Sequence, residues 1–530
     1  MSIILILVSV IATVMVGRYY LHMYQLESYQ ADGYVRWLRK NPDKQTGATL
    51  TIGVGATIIY FVLWLFLRVL TPGSAQVATG VITMVGFALA SVLCLRALTA
   101  KPEKKPLVFT ARMKRQLAAL IIISLAIGAL LELIRVKAFL LMALIPYLVL
   151  ASGLVMRPIE TAISQHYLND ARQKLDARPD LIKIGITGSY GKTSTKFILA
   201  TILEERYDVL ASPASFNTPM GLTRVIREQL QGHHQVFIAE MGARHVGDIT
   251  ELIDLVHPKY GLLTSVGPQH LETFGTIDNI ADTKFELIAG LPQDGVAFFA
   301  SDGAYVDKLY MRSTRVKRYL TGIRGMNLDM KAEDITVGRA GSRFVLRDMK
   351  TNESARCETR LLGAHNIGNI VLAACAAREL GLSMSEIARG IRKIKPVEHR
   401  LQLIPGSNGM TVIDDAFNAN PVGAKAALDV LAAFEGRHVI VTPGMVEQGD
   451  QETEINRRFG AQIADVCDVV ILVGRKRTLP IVEGLQAGGM DEGHMYLARD
   501  LDEATAILGR IGQSGDVVLF ENDLPDNYDE

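Results

Sequence analysis

The chain has 530 residues, of which 49% are hydrophobic and 21% are charged, and its formal net charge is +1 at pH 7. This length exceeds that of one domain and favours two to four. The balanced charge argues against a nucleic-acid partner, because nucleic-acid-binding domains favour basic surfaces. The 4 cysteines lack metal-site spacing and are too few for a disulfide framework, and those after residue 300 fit a reducing cytosol.

Apolar runs dominate the first part of the chain. They cover residues 3–16, 52–70, 77–95, 117–134 and 138–156. The last four approach the roughly 20 residues that a membrane-spanning helix needs. The first is shorter, and it lacks the basic start and the cleavage site of a removable signal peptide. The sequence does not determine whether this run spans the membrane. We therefore predict a membrane region over residues 1–157 with about five transmembrane helices.

Basic residues between these runs predict the orientation. They cluster at residues 18–44 and 101–115, whereas the turn at residues 71–76 carries no charge. Because basic loops favour the cytoplasmic side, we expect the N-terminus outside and everything after Arg157 in the cytoplasm. Arg68 and Glu132 lie near the ends of runs, so the pattern gives little support to a transport path.

The remainder of the chain reads as α/β. A polar helical linker is predicted over residues 158–180. Short apolar runs then alternate with helical patterns, which favours mostly parallel sheets covered on both faces. We predict a central ATP-binding domain over 181–395, with a small antiparallel insert at about 319–362, and a smaller C-terminal α/β domain over 396–530. The predicted fold class is thus an N-terminal α-helical membrane region followed by α/β domains.

The stretch "IGITGSYGKTSTKFILATIL", residues 184–203, predicts a phosphate-binding loop between a strand and a helix. Gly188 and Gly191 allow the backbone to turn its N–H groups towards phosphate oxygens, and the helix that begins near Lys192 adds its positive end. Lys192 would contact the β- and γ-phosphates, and the Thr193 hydroxyl would bind Mg²⁺. Ile186 stands where the strict motif has its first glycine.

Three further residues follow predicted strands of the same domain. Glu240 ends one strand, at the edge of a parallel sheet where ligands bind. His270 follows the next strand, which favours metal binding over its more common structural role. Lys284 lies on the helix after it, where an isolated lysine is ordinarily a solvated surface residue.

Seven motifs occur in one order: GITGSYGKTS, AEMG, GPQHLETFGT, ADTKFELI, GAHNIGN, EHRLQ and DDAFNANP. In this order they resemble the Mur ligases, over about residues 182–480. Within that family the pattern is most similar to the ligases that add D-alanyl-D-alanine to a muramoyl tripeptide. The resemblance predicts a central P-loop ATPase domain and a C-terminal domain of the Mur ligase type.

The resemblance implies a reaction and a set of catalytic residues. ATP would phosphorylate a substrate carboxylate, an amine would attack the acyl phosphate, and ADP and phosphate would leave. Lys192 would stabilise the transferring phosphoryl group, and Thr193 and Glu240 would bind one Mg²⁺. Glu240, His270 and Lys284 would bind a second Mg²⁺, with Lys284 carbamylated so that it becomes an anionic ligand.

The resemblance also implies the nucleotide-binding residues. They are Gly188, Ser189, Gly191, Lys192, Thr193, Ser194, Asn366, Asn369, Arg400, Asp415 and Asn418. Asp414 and Asn420 belong to the same closing loop, in which Phe417 replaces the usual tyrosine. Asn217 and Thr218 fall where the family recognises the carboxylate-bearing arm of the acceptor.

Two departures from the family limit the substrate that the resemblance implies. Membrane spans stand where soluble members have a domain for the UDP part of the substrate. The acidic end "FENDLPDNYDE", with Glu521 and Asp523, replaces a Lys-Gly-Ser stretch; such a tail is usually solvated, but could also meet an amine-bearing substrate.

The expected partners are therefore an amino-acid or dipeptide amine and a carboxylate acceptor, either UDP-linked or lipid-linked, with the membrane or a membrane enzyme as a further partner. The alternatives are a ligase that extends an amino-acid polymer, such as a capsule, and a catalytically inactive nucleotide-binding scaffold of an envelope complex. A transporter driven by ATP would need the signature of a transport ATPase, which the sequence does not contain.

Overall fold

The chain divides into two compact units after Gln165. The computed structural model describes residues 2–42, 47–70, 75–99, 106–213, 216–338, 341–416, 419–446, 448 and 451–523. In these residues the first unit is helical and the second contains two β-sheets with helices between their strands. The predicted fold class, an α-helical N-terminal region followed by α/β domains, is confirmed.

Long apolar helices make up the first unit. Its helices are α1 (Ser2–Leu26), α2 (Ala31–Lys40), α3 (Ala48–Leu70), α4 (Ala75–Leu98), α5 (Ala111–Leu133) and α6 (Leu141–Asp176). All of these except the short α2 are long and apolar enough to cross a membrane, judged by length and composition. The first run is part of a helix of 25 residues, longer than the sequence pattern indicated, because the tyrosine-rich stretch after Val16 continues it.

The side chains of this unit divide into a packed interior and an apolar exterior. Tyr34 and Trp37 of α2 are buried, and their rings stack with centroids 5.9 Å apart. In contrast, Leu65 is 63% exposed and Val69 is 79% exposed. Exposed large apolar side chains on long helices are what a hydrocarbon environment accommodates and water does not.

Helix α6 continues through the segment that the sequence pattern assigned to a separate linker. It runs without a break from Leu141 to Asp176 and contains both Pro146 and Pro158. A proline removes one backbone donor, but a long helix tolerates this loss where neighbouring groups compensate. The polar linker is thus the last part of α6 rather than a helix of its own.

The larger sheet of the second unit has nine strands in the order β2-β3-β1-β4-β5-β6-β7-β8-β9. They are β1 (Ile182–Thr187), β2 (Val209–Ala211), β3 (Val236–Glu240), β4 (Tyr260–Leu263), β5 (Val296–Ala300), β6 (Lys317–Gly322), β7 (Met330–Gly338), β8 (Gly341–Asp348) and β9 (Ser354–Thr359). Neighbours from β2 to β7 pair in parallel, whereas β7, β8 and β9 pair antiparallel. The antiparallel strands confirm the predicted insert.

The smaller sheet has six strands in the order β10-β11-β15-β12-β13-β14. They are β10 (Gln402–Pro405), β11 (Thr411–Asp415), β12 (His438–Thr442), β13 (Val469–Val473), β14 (Met495–Ala498) and β15 (Val517–Glu521). Only β10 pairs antiparallel among these described strands. The carboxyl ends of β11, β15, β12 and β13 therefore lie along one edge of this sheet.

Helices connect the strands of both sheets. They are α7 (Lys192–Leu203), α8 (Pro219–Glu228), α9 (Asp248–Val256), α10 (Leu271–Phe274), α11 (Ile277–Ala289), α12 (Tyr305–Arg312), α13 (Ala364–Glu379), α14 (Met384–Lys393), α15 (Pro421–Leu431), α16 (Glu452–Ala464), α17 (Leu479–Ala487) and α18 (Leu501–Ile511). The central parallel strands β3 and β13 are almost wholly buried, as strands covered on both faces require. This packing fixes the strand ends from which the site residues project.

Candidate functional site

The loop between β1 and α7 has the backbone of a phosphate cradle. Gly188 and Gly191 have φ values of +147° and +78°, which residues with a side chain rarely adopt. A Cβ on Gly188 would also lie 2.1 Å from Thr264 Oγ1. Helix α7 begins at Lys192, directly after the loop, so its first N–H groups face the concave side of the turn. The predicted strand, loop and helix are therefore all present.

The segment after β4 braces this loop. The Ser189 N–H donates to Ser265 O at 2.8 Å, and the Tyr190 N–H donates to Ser265 Oγ at 2.8 Å. The Ser189 hydroxyl donates to Gly267 O at 3.0 Å. These bonds engage the N–H groups of Ser189 and Tyr190, so the start of α7 remains as the anion-binding part. Ser189 is thus a structural support of the loop in this arrangement.

The Lys192 side chain folds over the loop that precedes it. Its ammonium donates to Gly188 O at 2.6 Å and to Ser189 O at 2.9 Å. Burial lowers its pKa to about 8, with a smaller lowering by Arg400 and an opposing contribution from Glu240. A lysine held here is within reach of a phosphate that occupies the cradle.

Glu240, at the end of β3, is the centre of the site. Its carboxylate is 1% exposed. Oε2 accepts from the Thr193 hydroxyl at 3.0 Å and from the Lys196 ammonium at 2.9 Å, and Oε1 accepts from Asn217 Nδ2 at 3.1 Å. Both oxygens are therefore hydrogen-bonded, and Lys196, itself 0% exposed, balances the buried charge.

Thr193 and Glu240 fit one Mg²⁺ ion. Their oxygens are 3.0 Å apart at the mouth of the phosphate cradle, and hydroxyl and carboxylate oxygens are the hard ligands that Mg²⁺ prefers. In the described ranges, no group of three or more His, Cys, Asp or Glu side chains converges in the manner of a metal site.

Lys284 on α11 has the environment that carbamylation requires. Its side chain is 2% exposed, and its Nζ lies 5.6 Å from the centre of the Phe274 ring. Burial and, to a lesser extent, the positive charge of Lys192 lower its pKa to about 7, against the opposing charges of Asp248 and Glu286. A neutral amine is the form that reacts with CO₂, and at pH 7 about half of this amine is neutral.

His270 lies where the sequence predicted, beyond β4 and before α10. Its backbone is left-handed, with a φ of +56°, and its carbonyl accepts from the backbone of Thr273 and Phe274. A non-glycine residue in this conformation is strained, and such strain concentrates at functional positions. The metal-binding role of the side chain remains a prediction.

The two predicted residues of α13 differ in their surroundings. Asn369 lies against the phosphate loop, since a Cβ on Gly191 would be 2.8 Å from Asn369 Oδ1. Asn366 is 6% exposed, and its amide donates to Leu362 O at 2.8 Å. Asn369 is therefore close to the phosphate end of the site, whereas Asn366 ends the turn that leads into the helix.

Arg400 and the end of β11 bring the C-terminal domain to the same site. Burial lowers the pKa of Arg400, and the charges of Asp415, Glu240 and Glu521 raise it, so its charge acts on carboxylates of both domains. Asp415 Oδ1 accepts from the Leu401 N–H at 3.1 Å. Burial raises the pKa of Asp415 to about 6.

Other predicted residues have local structural roles. Asp414 Oδ2 lies 2.7 Å from His399 Nδ1. Asn420 caps α15, because its Oδ1 accepts from the Gly423 N–H. Thr218 caps α8 by accepting from the Gly221 N–H at 3.2 Å. Asn217 contacts Glu240 directly, so it lies at the metal end of the site. Phe417 and Asn418 lie outside the described residues.

Sequence reasoning missed Lys196 as a member of the site, and it assigned Glu521 to an acidic end without predicting that it lies beside Asp415. Lys196 is four residues after Lys192 on α7. A second lysine on the otherwise apolar, buried face of this helix is the sequence signal that could have identified it. Glu521 directly opposes Asp415 in the pairing of β15 with β11. The parallel register becomes apparent only when the strand order is known, and the sequence does not provide that order.

Known proteins share this arrangement. Residues 186–377 match the Mur ligase middle domain, and residues 399–521 match the Mur ligase, glutamate ligase domain. The UDP-N-acetylmuramoyl-tripeptide–D-alanyl-D-alanine ligase of Mycobacterium tuberculosis (strain ATCC 25618 / H37Rv) is 34% identical over 363 residues, covering 64% of this chain and 69% of that protein. The ligase of the same name from Bacillus subtilis (strain 168) is 29% identical over 342 residues, covering 64% of this chain and 72% of that protein.

Solved structures agree with this assignment. The MurF ligase of Thermotoga maritima in complex with ADP is 25% identical, with a TM-score of 0.60, and the match covers 68% of this chain and 80% of that one. MurF from Acinetobacter baumannii shares the fold, with 24% identity and a TM-score of 0.62 over 69% of this chain and 78% of that one. The chain therefore belongs to the Mur ligase family of ATP-dependent, ADP-forming acid–amino-acid ligases.

Proposed function

We propose that this chain is a membrane-anchored ligase that uses ATP to join a carboxylate to the amine of an amino acid or dipeptide, in cell-envelope biosynthesis of the peptidoglycan type. The observation that carries the proposal is the cluster around Glu240, where Thr193 and Lys196 meet one carboxylate beside the Lys192 loop. Hydroxyl, carboxylate and ammonium groups at one end of a phosphate cradle are the elements of phosphoryl transfer.

The residues of the chain suggest how the first step proceeds. The N-terminus of α7 and the Lys192 ammonium bind the phosphates of ATP and stabilise the charge that develops when the γ-phosphoryl group moves to the substrate carboxylate. Arg400 adds a second positive charge from the C-terminal domain. Mg²⁺ bound to Thr193 and Glu240 would neutralise phosphate charge.

The second step needs an amine and the exclusion of water. The carboxylate leaves the first step as an acyl phosphate, the amine nitrogen attacks its carbonyl carbon, and phosphate departs with the electrons of the broken C–O bond. An acyl phosphate hydrolyses readily, so closure of the C-terminal domain over the nucleotide would protect it. The charges of Asp415, Glu240 and Glu521, from both domains, raise the pKa of Arg400, which supports such closure.

A second Mg²⁺ and carbamylation of Lys284 are part of the proposal. The buried, easily deprotonated amine of Lys284 would react with CO₂ and gain a carboxylate-like group, which joins Glu240 and His270 as ligands. The charges of Asp248 and Glu286 oppose the lowering of its pKa, but burial and Lys192 outweigh them, which keeps the amine easily deprotonated. Asn366, Asn369, Asp415 and Asn418 complete the proposed nucleotide site.

The substrates are proposed from the relatives and from the membrane region. The relatives are named for a muramoyl tripeptide and D-alanyl-D-alanine, so this dipeptide is the first amine to test. Asn217 and Thr218 are the proposed contacts of the acceptor. The five apolar helices favour an acceptor that is linked to a lipid or assembled at the membrane, with the catalytic domains in the cytoplasm.

A direct experiment is ligation by Lys192→Ala in the full-length protein. We expect a loss of about 10³-fold in amine-dependent ADP formation, because a preorganised charge on the transferring group is removed. Lys308→Ala, on the exposed face of α12, is the matched control and should retain full activity. Retained ligation by Lys192→Ala would contradict the mechanism.

The alternatives give different results with the same protein. A ligase that extends an amino-acid polymer would give a product whose mass grows processively with time. A nucleotide-binding scaffold would bind ATP without turnover under any combination of amine and acceptor. The hydrogen-bonded arrangement of Thr193, Lys196 and Glu240 favours an active enzyme over the scaffold.

A further inference from the structure

A narrow cleft opens between α5 and α6 in the first unit. It has a volume of about 310 Å³, and Arg115 is the charged residue in its lining. This volume is near the lower limit of ligand clefts in proteins, so it accommodates one hydrocarbon chain rather than a whole lipid. The apolar walls are formed by Ala118, Ala119, Ile122, Ile123, Val155 and Met156.

Two alanines on α5 leave the space that forms the cleft. Ala118 and Ala119 lie where longer side chains would fill the gap between the helices. Ile122 is 66% exposed and Val155 is 57% exposed, so large apolar side chains border the opening. Water does not favour such side chains, whereas the hydrocarbon chains of a lipid do. The opening is therefore suited to a hydrocarbon occupant.

Hydrogen bonds hold the two helices together beside the cleft. Gln116 Nε2 donates to Ser152 Oγ at 2.8 Å, and both side chains are buried. Arg115 donates from Nε and Nη2 to the two carboxylate oxygens of Glu160, at 2.7 Å and 2.8 Å. A paired contact of this kind fixes the orientation of both side chains. The cleft is thus a preformed feature of the first unit.

The end of the cleft at Arg115 carries positive charge. Glu160 is 8% exposed, and Arg112 Nε lies 3.9 Å from its Oε2, so two guanidinium groups share one carboxylate. The Arg112 Cζ also lies 4.1 Å from the centre of the Tyr29 ring, a contact that holds this guanidinium in place. Arg157, three residues before Glu160 on α6, is exposed. An anionic group is the complement of this end.

The charged and apolar parts of the cleft follow the order that a lipid has in a bilayer. Arg115 belongs to the first turns of α5, whereas Ile122 and Ile123 lie near the middle of this helix. With a rise of 1.5 Å per residue, the cleft runs about 11 Å along α5 from Arg115. Because α5 begins on the predicted cytoplasmic side, we expect the charged end at the membrane surface and the apolar end within the hydrocarbon core.

We propose that this cleft binds an anionic phospholipid, with one acyl chain along its apolar walls and the phosphate group at Arg112 and Arg115. Basic pockets between transmembrane helices on the cytoplasmic side suit anionic headgroups, and the cytoplasmic leaflet supplies such lipids. The inference rests on the membrane anchoring in the proposed function and adds a lipid site separate from the ligase residues. A second copy of the chain is a poorer occupant, because a parallel dimer would bring two basic ends together.

Native mass spectrometry of the full-length, detergent-purified protein tests the proposal directly. The probes are dioleoylphosphatidylglycerol and dioleoylphosphatidylcholine, which share their acyl chains and differ in net charge. We expect the wild type to bind the anionic lipid about 5-fold more tightly, the effect of one basic residue near a lipid phosphate. Glycerol phosphate, which has the charge but no acyl chain, should not displace it.

Substitutions of Arg112 test the charged end of the cleft. Arg112→Gln should remove most of the preference for the anionic lipid, a change of about 5-fold. Arg112→Lys keeps the positive charge and should stay within about 2-fold of the wild type. Arg96→Gln is the matched control, because Arg96 is an exposed arginine in the last turn of α4.

Substitution of an alanine tests the apolar walls. Ala118→Trp fills the cleft from an exposed position, and we expect it to weaken the binding of both lipids by about 10-fold, the effect of about two methylene groups that lose their contacts. Ala126→Trp is the matched control, because Ala126 is also exposed on α5 but does not line the cleft.

Several results would overturn the inference. They are equal binding of the two lipids by the wild type, equal behaviour of Arg112→Gln and Arg96→Gln, equal behaviour of the two tryptophan variants, and a wild-type dimer that Ala118→Trp dissociates. Each variant should unfold within about 3 °C of the wild type, which shows that a change in lipid binding is not a loss of structure.

Failure of the proposed function is seen separately. Recovery of the wild type in the soluble fraction without detergent would contradict the membrane anchoring. An absence of ligase turnover in a protein that still prefers the anionic lipid would contradict the proposed reaction and leave the lipid site in place.

Discussion

In both sheets of the second unit, a buried carboxyl group ends a parallel strand at the carboxyl edge. The two edges differ in the partners of that group. At the edge of the larger sheet, every oxygen of Glu240 has a hydrogen-bond partner and a buried lysine balances its charge. At the edge of the smaller sheet, Asp415 and Glu521 lie opposite each other, and burial raises the pKa of both carboxyl groups. The first edge is prearranged for an anion with its metal ion, whereas the second brings two carboxyl groups together.

This difference follows from the charge of what each edge must bind. A nucleotide brings negative charge, so the chain provides a helix N-terminus, Lys192 and Arg400. The carboxylate of Glu240 is held by hydrogen bonds and an ion pair. At the second edge, the charge of Arg400 opposes those of Asp415 and Glu521. The comparison predicts that substitutions at the first edge affect catalysis most and that substitutions at the second change the pH dependence of stability.

The largest effect is expected for Glu240→Gln. The amide keeps the shape of the side chain but loses the charge that holds Mg²⁺ near Thr193, and we expect turnover to fall by about 10³-fold or more. Steady-state ADP formation as a function of Mg²⁺ concentration measures it. Wild-type Mg²⁺ dependence in this variant would show that Glu240 holds no metal.

The next largest effect is a loss of stability in Lys196→Met. It leaves the Glu240 carboxylate buried without its cation, and the loss of one partner of a buried ion pair costs about 3–5 kcal/mol. Hydrogen exchange of the β1 and β3 amides, compared with that of the wild type, reports the local change. Lys425→Met, whose partner Asp429 is exposed, should change stability by less than about 1 kcal/mol. Equal protection in Lys196→Met and the wild type would mean that the pair adds nothing.

Carbamylation of Lys284 predicts a dependence on CO₂. Since the pKa of Lys284 is lowered to about 7, most of the amine is neutral at pH 8 and about a tenth is neutral at pH 6. We expect activity at pH 8 to fall several-fold in CO₂-depleted buffer and to return with bicarbonate. Lys284→Ala should be inactive and respond to added short-chain carboxylic acids. Full activity after CO₂ depletion, with unmodified lysine by mass spectrometry, would remove the carbamate from the mechanism.

A further prediction concerns the pH dependence of stability at the second edge. The pKa of Asp415 is raised from 3.8 to about 6, so the folded state binds its proton more tightly than the unfolded state does. The contribution of this group is thus most favourable below pH 4 and is lost as the pH rises to about 6. Asp415→Asn should gain about 2–3 kcal/mol relative to the wild type across this window.

Hydrogen exchange of the β11 and β15 amides, measured for the variant and the wild type at each pH, tests this prediction. A difference between the two proteins that does not change from pH 4 to pH 6.5 would contradict it.

Most of the fold could be predicted from the sequence, because the patterns that indicate it are local. The apolar runs, the strands around Gly188 and Glu240, and the turn into α7 each depend on neighbours in the chain. The continuity of α6 through Pro158 could not be predicted, because a proline ordinarily ends a helix and only tertiary packing overrides it.

The site was less predictable where residues distant in sequence meet. Lys192, Thr193 and Glu240 were predicted from motifs, but the contact of Lys196 with Glu240 depends on the side-by-side register of β1 and β3. The pairing of Asp415 with Glu521 likewise requires β15 to lie beside β11. Such strand order is a global property that no local pattern encodes.

The most direct measurement of the central claim is phosphate release by the detergent-purified protein with Mg²⁺ and ATP. Amino acids and dipeptides are tested with UDP-muramoyl tripeptide or with a lipid extract of the native membrane, and Lys192→Ala serves as the inactive reference. The account predicts phosphate release that requires both an amine and an acceptor, and that is greatest with the lipid extract. A protein that binds ATP but releases no phosphate under any combination would contradict the account and favour the scaffold.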